Sequence, residues 1–320
     1  MRRPSPHPAG RGTGERATVE LVECVPNFSE GRRPEVIVAV VDAARAVEGV
    51  RVLDVHSDAD HNRSVLTYVA PPDAALKAAF AVVAAAVERI DLRGHSGAHP
   101  RIGALDVFPF VPLGDAPMAR CVALAHALGE RVAAELGVPV YYYEDAARRA
   151  DRRALETLRR GGLEGLGAAI DGDPARAPDV GPRRLHPTAG AIVVGARRVL
   201  IAYNVRLATA DLTVARAIAR RVRASSGGLR GVKALGLELA GTGETQVSMN
   251  LTDYRASSIV TVMDIIRAEA ARHGVAVTHS EVVGLIPLDA LLDAATAFLQ
   301  LDPFAPDQVL ERRLWGGGIS

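Results

Sequence analysis

The sequence predicts an α+β protein made of two consecutive βαββαβ units, and three observations carry that prediction. Apolar residues switch between two-residue and 3.6-residue periods in the order strand, helix, strand, strand, helix, strand. That order occurs twice, and a stretch rich in Asp, Gly and Pro over residues 171–182 separates the two occurrences. With 320 residues, 48% of them hydrophobic, the chain is long enough for two domains that each bury a core.

In the first half, residues 20–28 read as a strand. Pro34 then stands at a first helical position, ahead of Val36, Ile37, Val40, Val41 and Ala44 at helical spacing. Strands at 51–56 and 63–69 flank the polar turn 57–62, where Asp and Asn side chains stabilise turns by bonding nearby backbone. Pro72 opens an alanine-rich helix to residue 90, a glycine-rich loop runs over 91–103, and the apolar stretch 104–111 suits a buried strand. A helix over 119–136, a strand over 138–143 and an arginine-rich helix follow.

The second half repeats the order: strand 191–204, helix 211–225, strands 232–239 and 245–253, helix 257–273 and strand 275–286, with Asp211 and Ser257 as N-caps. Both halves therefore read as ferredoxin-like split βαβ units. The division is expected near residue 180, giving an N-terminal unit over 19–180 and a C-terminal unit over 181–302. Residues 1–18, rich in Pro, Gly and Arg, read as a disordered leader without the apolar segment of a secretory signal, and 303–320 as a tail.

Composition excludes several function classes. Lysine and arginine number 38 against 37 acidic residues, so a formal charge of +1 provides no global field for a nucleic acid, and any basic ligand site must be local. Cys24 and Cys121 are too few for a disulfide framework, and no apolar run reaches the roughly 20 residues of a membrane span. A cytoplasmic protein without nucleic-acid or membrane partners is expected.

The topology brings three loops, 26–33, 57–62 and 91–103, to one end of the first unit. They hold Asn27, Ser29, Glu30, Asp58, Asp60, His61, Asn62, His95, His99 and Arg101, with His56 at the hairpin's edge, and loops on a rigid scaffold are where sites are built. His99 is the sharpest candidate. An imidazole changes charge near neutral pH, Pro100 restricts it to extended backbone, and neighbouring glycines permit close approach of a ligand. His95 and His99 also have the H-x-x-x-H spacing of a zinc pair, but Gly97 and Pro100 disfavour the helix that would align them, and no metal is expected. Arg63 and Arg101 suit bidentate capture of a carboxylate. Cys24 reads as core, and Asp106, between Leu105 and Val107, needs a partner.

These same loops carry a resemblance. The stretch Glu23-Cys24-Val25-Pro26-Asn27-Phe28-Ser29-Glu30-Gly31, the pair Asn62-Arg63 and the stretch His99-Pro100-Arg101-Ile102-Gly103-Ala104-Leu105-Asp106-Val107 resemble the formiminotransferase domain of formiminotransferase-cyclodeaminase. The likeness extends through Pro139-Val140-Tyr141, Leu200-Ile201-Ala202-Tyr203-Asn204, Gln246-Val247-Ser248-Met249-Asn250-Leu251 and Val283-Gly284-Leu285-Ile286-Pro287-Leu288, covering roughly residues 20–300. The resemblance implies two ferredoxin-like subdomains with folate between them, His99 as the catalytic histidine, and a folate-binding segment of Gly181, Pro182, Arg183, Arg184, Leu185, His186, Pro187, Thr188, Ala189 and Gly190. A tryptophan common in the animal enzymes falls on Ala189, and an acidic residue on His56.

What the resemblance implies for activity is transfer of a formimino group from N-formimino-L-glutamate to tetrahydrofolate as co-substrate, in a monofunctional homodimer. Asn27, His56, Asn62, Arg63, Arg101 and Asn204 are the expected substrate-binding residues, and Arg183 and Arg184 join the arginines as carboxylate clamps. The rival expectations are a formylglutamate or 5-formyltetrahydrofolate enzyme on the same fold, a folate-binding protein without turnover, and a metal-dependent hydrolase.

Overall fold

A computed structural model describes residues 20–97, 100–239 and 241–315, and the expected leader lies outside them. The chain begins with β1 (Leu21–Cys24), β2 (Asn27–Phe28), α1 (Pro34–Arg45), β3 (Arg51–Asp58), β4 (Arg63–Ala70), α2 (Pro72–Arg89) and β5 (Leu105–Leu113). β1 lies between β4 and β5, antiparallel to both, and β3 pairs outside β4. After α3 (Met118–Leu136), β6 (Val140–Glu144), α4 (Leu155–Leu158) and α5 (Gly162–Ala169), β7 (Ile192–Ala196) inserts parallel between β5 and β6, completing a seven-stranded sheet.

The second sheet holds β8 (Ile201–Leu207), β9 (Val232–Leu239), β10 (Glu244–Leu251) and β11 (Val277–Val283) in the order β11-β8-β10-β9, each neighbouring pair antiparallel. Two helices cross between its strands, α6 (Leu212–Val222) and α7 (Ile259–Arg272). After them come α8 (Leu288–Leu299) and α9 (Leu310–Trp315), where Arg312 reaches Asp289 at 3.2 Å. The protein is thus of mixed α and β architecture in two units, as the repeated pattern predicts.

The larger core lies between the first sheet and α1, α2 and α3. Ala75, Ala78, Ala79, Val82, Val83 and Ala86 of α2 are buried there, their small side chains letting helix and sheet approach closely. Gly129 of α3 is required by packing, because a Cβ there would stand 2.4 Å from the Tyr142 hydroxyl. On the opposite face, beside β5, β6 and β7, Val107, Tyr141, Val193, Leu158 and Leu166 form a smaller core. In the second unit, α6 and α7 cover one face through Val214, Ile218, Val262 and Ile266.

Three expectations change. The single strand over 191–204 is two strands in two sheets. Both Ile192 to Val194 and Ile201 to Val205 read as apolar strand, and periodicity does not record that the chain changes sheet between Ala196 and Ile201, well beyond residue 180. The Asp-Gly-Pro stretch is fastened to β6: Asp179 N–H donates to Val140 O at 2.9 Å, and Val140 N–H to Val180 O at 3.0 Å. The N-cap of α7 is Ser258, which accepts the Thr261 N–H at 3.2 Å, whereas Ser257 is buried and donates to Arg230 O at 2.7 Å. Asp211 caps α6 as expected, accepting the Thr213 N–H at 2.8 Å.

The same stretch carries a buried ion pair. Arg152 Nη1 lies 2.7 Å from Asp179 Oδ1, both side chains under 5% exposed, and Asp179 Oδ2 accepts the Tyr142 N–H at 2.8 Å. Removing one partner leaves an uncompensated buried charge. Asp179→Ala is therefore expected to lower the unfolding free energy by about 3–5 kcal/mol in urea denaturation. Glu130→Ala, which breaks an exposed pair with Arg148, should change it by about 1 kcal/mol or less.

Candidate active site

The three loops expected at one end of the first unit do meet, and Asn62 joins them. Its φ of 48° is a left-handed conformation that Asn tolerates better than most residues. Its side chain, 7% exposed, accepts the Gly31 N–H at 2.9 Å and donates to Ser96 O at 2.9 Å. The His95 Nε2–H donates to Asn62 O at 3.1 Å, and Arg101 donates to His95 O at 2.7 Å. Gly31 and Gly97 permit this packing: a Cβ on Gly31 would stand 2.2 Å from Asp58 O, and one on Gly97 2.4 Å from His61 O.

Ser29, Glu30 and Ser64, all buried, brace the rim from beneath. Ser29 donates to Gly103 O at 2.8 Å, and Ser64 to Glu30 O at 2.5 Å. Burial alone would raise the Glu30 carboxyl. The Arg32 and Arg33 N–H groups, both 2.9 Å away, and the Arg33 guanidinium outweigh it and hold the pKa below the usual carboxylate value. Burial, aided by the Arg101 guanidinium, pulls His95 below the usual imidazole value, so its ring is neutral near neutral pH. Ala98 and the candidate base His99 lie outside the described residues; Gly97 and Pro100 bound them.

The 181–190 segment closes on the same loop. Leu92 N–H donates to Thr188 O at 2.8 Å, Ala104 N–H to Ala189 O at 2.9 Å and Ala191 N–H to Ile102 O at 2.8 Å. His186 turns the segment back on itself: its backbone pairs with Gly190 in both directions, and its Nδ1 accepts the Ala189 N–H at 3.0 Å. An accepting Nδ1 is unprotonated, in keeping with the lowering of His186 by burial. Ala189 is 2% exposed and packs into the larger core, offering a ring ligand no surface. Gly181, Arg183, Arg184 and Pro187 are exposed, with Pro182, Leu185 and Thr188 half-buried.

The other candidates spread along the sheet faces. Asn27, whose amide donates to Val25 O at 2.9 Å, faces Val65 and Val107. His56 faces Val65 from β3 and is exposed, apart from the rim hydrogen bonds. Asn204 stands in the second sheet between Ser248 and Glu281, donating to Glu281 at 3.4 Å. The two units touch where Lys233 of β9 reaches Glu156 at 2.9 Å and Glu144 at 3.7 Å.

Sequence reasoning left several site residues out. Asp106, flagged only as needing a partner, accepts the Ile102 N–H at 2.7 Å and pairs with Arg159, a residue in an arginine-rich stretch that nothing local distinguishes. Glu23, read as ordinary strand, has its carboxyl raised by burial, with Arg197 drawing it partly back. Cys24 is core as expected: burial raises its thiol far above the usual range, and Cys121 to about 12. Among the described residues no group of three or more His, Cys, Asp or Glu side chains is arranged to hold a metal ion, and no helix is long and apolar enough to cross a membrane.

Residues 21–197 match the N-terminal subdomain of the formiminotransferase domain, and 202–306 match the formiminotransferase domain. The consecutive matches define a two-part transferase domain. Glutamate formimidoyltransferase of Thermoplasma acidophilum is 47% identical over 92% of this chain and 98% of its own length. That of Streptococcus pyogenes is 44% identical over 93% and 99%. Formimidoyltransferase-cyclodeaminase of Sus scrofa is 42% identical over 88% of this chain, which spans 53% of the pig protein. The chain belongs to the formiminotransferase family.

Two expectations follow from the rim. Gly97→Ala must displace backbone at His61, so kcat should fall about tenfold or more, while thermal denaturation shifts by only a few degrees because the clash lies in a surface loop. The lowered Glu30 carboxyl stabilises the fold above the ordinary carboxylate range, and that contribution is lost as pH falls through the lowered value. Denaturation midpoints measured from neutral to acid pH should therefore drop less steeply in Glu30→Gln than in wild type.

Proposed function

We propose that this protein transfers the formimino group of N-formimino-L-glutamate to tetrahydrofolate, with folate held between the two units and His99 handling the proton. One observation carries the reading. Described residues on either side of His99 are joined to the segment expected to bind folate by three backbone hydrogen bonds of 2.8–2.9 Å, from Leu92 and Ala104 and to Ile102, which supports a base and a folate segment acting together. Ferredoxin-like topology in both units agrees with the strand orders β3-β4-β1-β5 and β11-β8-β10-β9. A cytoplasmic homodimer serving histidine breakdown and one-carbon metabolism completes the proposal.

His99 removes the N5 proton of tetrahydrofolate as N5 adds to the formimino carbon. The same imidazolium then protonates the glutamate nitrogen as the carbon–nitrogen bond to it breaks, and the histidine returns to its neutral form. Acid–base catalysis by one placed side chain gives about 10²- to 10⁴-fold, or roughly 3 to 5 kcal/mol. The remainder must come from holding two substrates together. Both carry carboxylates, for which Arg63, Arg101, Arg183 and Arg184 are the clamps; the buried Nε–H of Arg101, without an acceptor among the described residues, suits that task.

Purified protein given tetrahydrofolate with formiminoglutamate or formylglutamate should turn over the first and prefer it to the second. His99→Ala should lower kcat at least about a hundredfold with little change in folate affinity. Unchanged turnover in that variant would remove the histidine from the mechanism.

A further inference from the structure

Glu23 stands on β1 between β4 and β5, directly opposite Val69 on one side and Val111 on the other. Its neighbours Val22 and Cys24 enter the larger core, so the Glu23 side chain projects from the face of the sheet turned away from α1, α2 and α3. That face is not open water. Val111 is 0% exposed, and Thr67, which alternates on β4 with Leu66 and Tyr68 of the core, is 5% exposed. Farther along the same face α4 packs Leu158 against Val107 and Tyr141, and Lys233 of the second unit bonds Glu156 of that helix at 2.9 Å. Lys233 lies between Val232 and Ala234, both in the core under α6 and α7, so it too projects from a face its own helices leave bare. The two bare faces adjoin at α4, and Glu23 stands on one of them.

The buried acids that fasten the fold all accept backbone N–H groups: Glu30 from Arg32 and Arg33, Asp106 from Ile102, and Asp179 from Tyr142. Glu23 differs from them. Burial raises its carboxyl, and what draws it back is the charge of Arg197, with no hydrogen bond contributing. Arg197 is seated by its backbone, whose N–H donates at 3.1 Å to the carbonyl oxygen of Phe110, the residue opposite Cys24 in the register of β1 and β5. Its Nη1–H is given to Arg198 O at 2.9 Å. A carboxylate that only held the sheet together would need donors in place, because a half-buried acid without them carries a desolvation cost. A carboxylate that receives a substrate needs those donors to arrive with it.

We propose that Glu23 receives an amidine-type edge of a substrate, in which two N–H donors flank one carbon. The proposal rests on the transfer reaction above and adds a binding residue to it. Both substrates carry such an edge: the formimino group of the donor, an amidinium at neutral pH, and the aminopyrimidinone edge of the pterin ring. Two parallel N–H···O bonds to one carboxylate match either, as they do in an arginine–carboxylate fork. The arginines cannot serve here, because a guanidinium only donates. They take the carboxylate ends of the substrates, and Glu23 takes the end that donates.

Glu23→Gln keeps the size of the side chain but turns one acceptor into a donor. Calorimetric titration of wild type and variant with acetamidine, a bare amidinium, and with 6-methyltetrahydropterin, a bare ring, tests the edge without turnover. One probe should bind the wild type and bind the variant about tenfold or more weakly. Acetamidine in that role assigns Glu23 to the donor, and the pterin assigns it to the folate. Equal binding by both proteins, or no binding of either probe to the wild type, overturns the proposal. In steady-state kinetics the KM of the matching substrate should rise about tenfold or more, with the other KM changed less than about threefold, and two unchanged KM values also overturn it. Stability separates binding from support: since burial raises the Glu23 carboxyl, a neutral isostere relieves a cost at neutral pH, so the thermal midpoint of the variant should equal or exceed that of the wild type. A lower midpoint makes Glu23 a structural residue. If the wild type turns over no glutamate donor, the transfer reading fails, while the probe titrations still decide whether Glu23 binds such an edge.

Discussion

One amide, that of Asn62, touches all three loops of the rim. Asn62 sits in a backbone conformation that few residues tolerate, and from there its side chain satisfies an N–H of the first loop and a C=O of the third while its own carbonyl accepts from His95. Three segments far apart in sequence are thereby fixed to one another by groups whose partners are all buried or half-buried, where an unmade hydrogen bond costs about 1–3 kcal/mol. The close contacts at Gly31 and Gly97 follow from the same geometry, because the backbones could not reach one asparagine if either carried a Cβ.

Beneath the rim, Asp106 does for the exit of the third loop what Asn62 does for its entrance. Its two oxygens hold Ile102 N–H and Arg159, so the loop's start and end are both tied to buried polar groups. The segment around Gly190 then takes up the backbone groups left at Ile102 and Ala104. Gly190 at φ 68° is needed here, since a Cβ would meet Ile102 O at 2.4 Å. The order of construction is thus sheet, buried Asp106, loop, 181–190 segment, and each layer depends on the one below.

Much of this was legible in the sequence, for reasons that separate local from distant information. Periodicity located both βαββαβ runs because each strand and helix has one core-facing side, as in α1, where Val36, Val40, Val41 and Ala44 are all buried. Gathering of the three loops followed from topology alone. What stayed hidden depended on contacts across the chain: β7 joins the first sheet because it pairs with β5 and β6, and no pattern inside residues 192–196 records that. Arg159 was one arginine among several until Asp106, 53 residues earlier, selected it. Ser257 and Ser258 are equivalent as sequence, and only the position of Arg230 O decides which one caps the helix.

Electrostatics around the rim bear on the histidine base proposed above. An imidazole that must accept a proton near neutral pH is weakened by every added cation nearby. His95 of the third loop and His186 of the 181–190 segment are both lowered by burial; His186 Nδ1 accepts a backbone N–H, while His95 Nε2–H donates to a carbonyl. Neither therefore contributes an imidazolium. Arg32, Arg33 and Arg101 do bring positive charge, but Arg33 pairs with Glu30, and Arg32 and Arg101 donate to the carbonyl oxygens of Ala59 and His95. A chain whose net charge is +1 has no long-range field to correct such an imbalance. The Glu30 carboxylate offsets the Arg33 charge, whereas Arg32 and Arg101, bonded to neutral carbonyls, keep theirs for the acidic substrates proposed above.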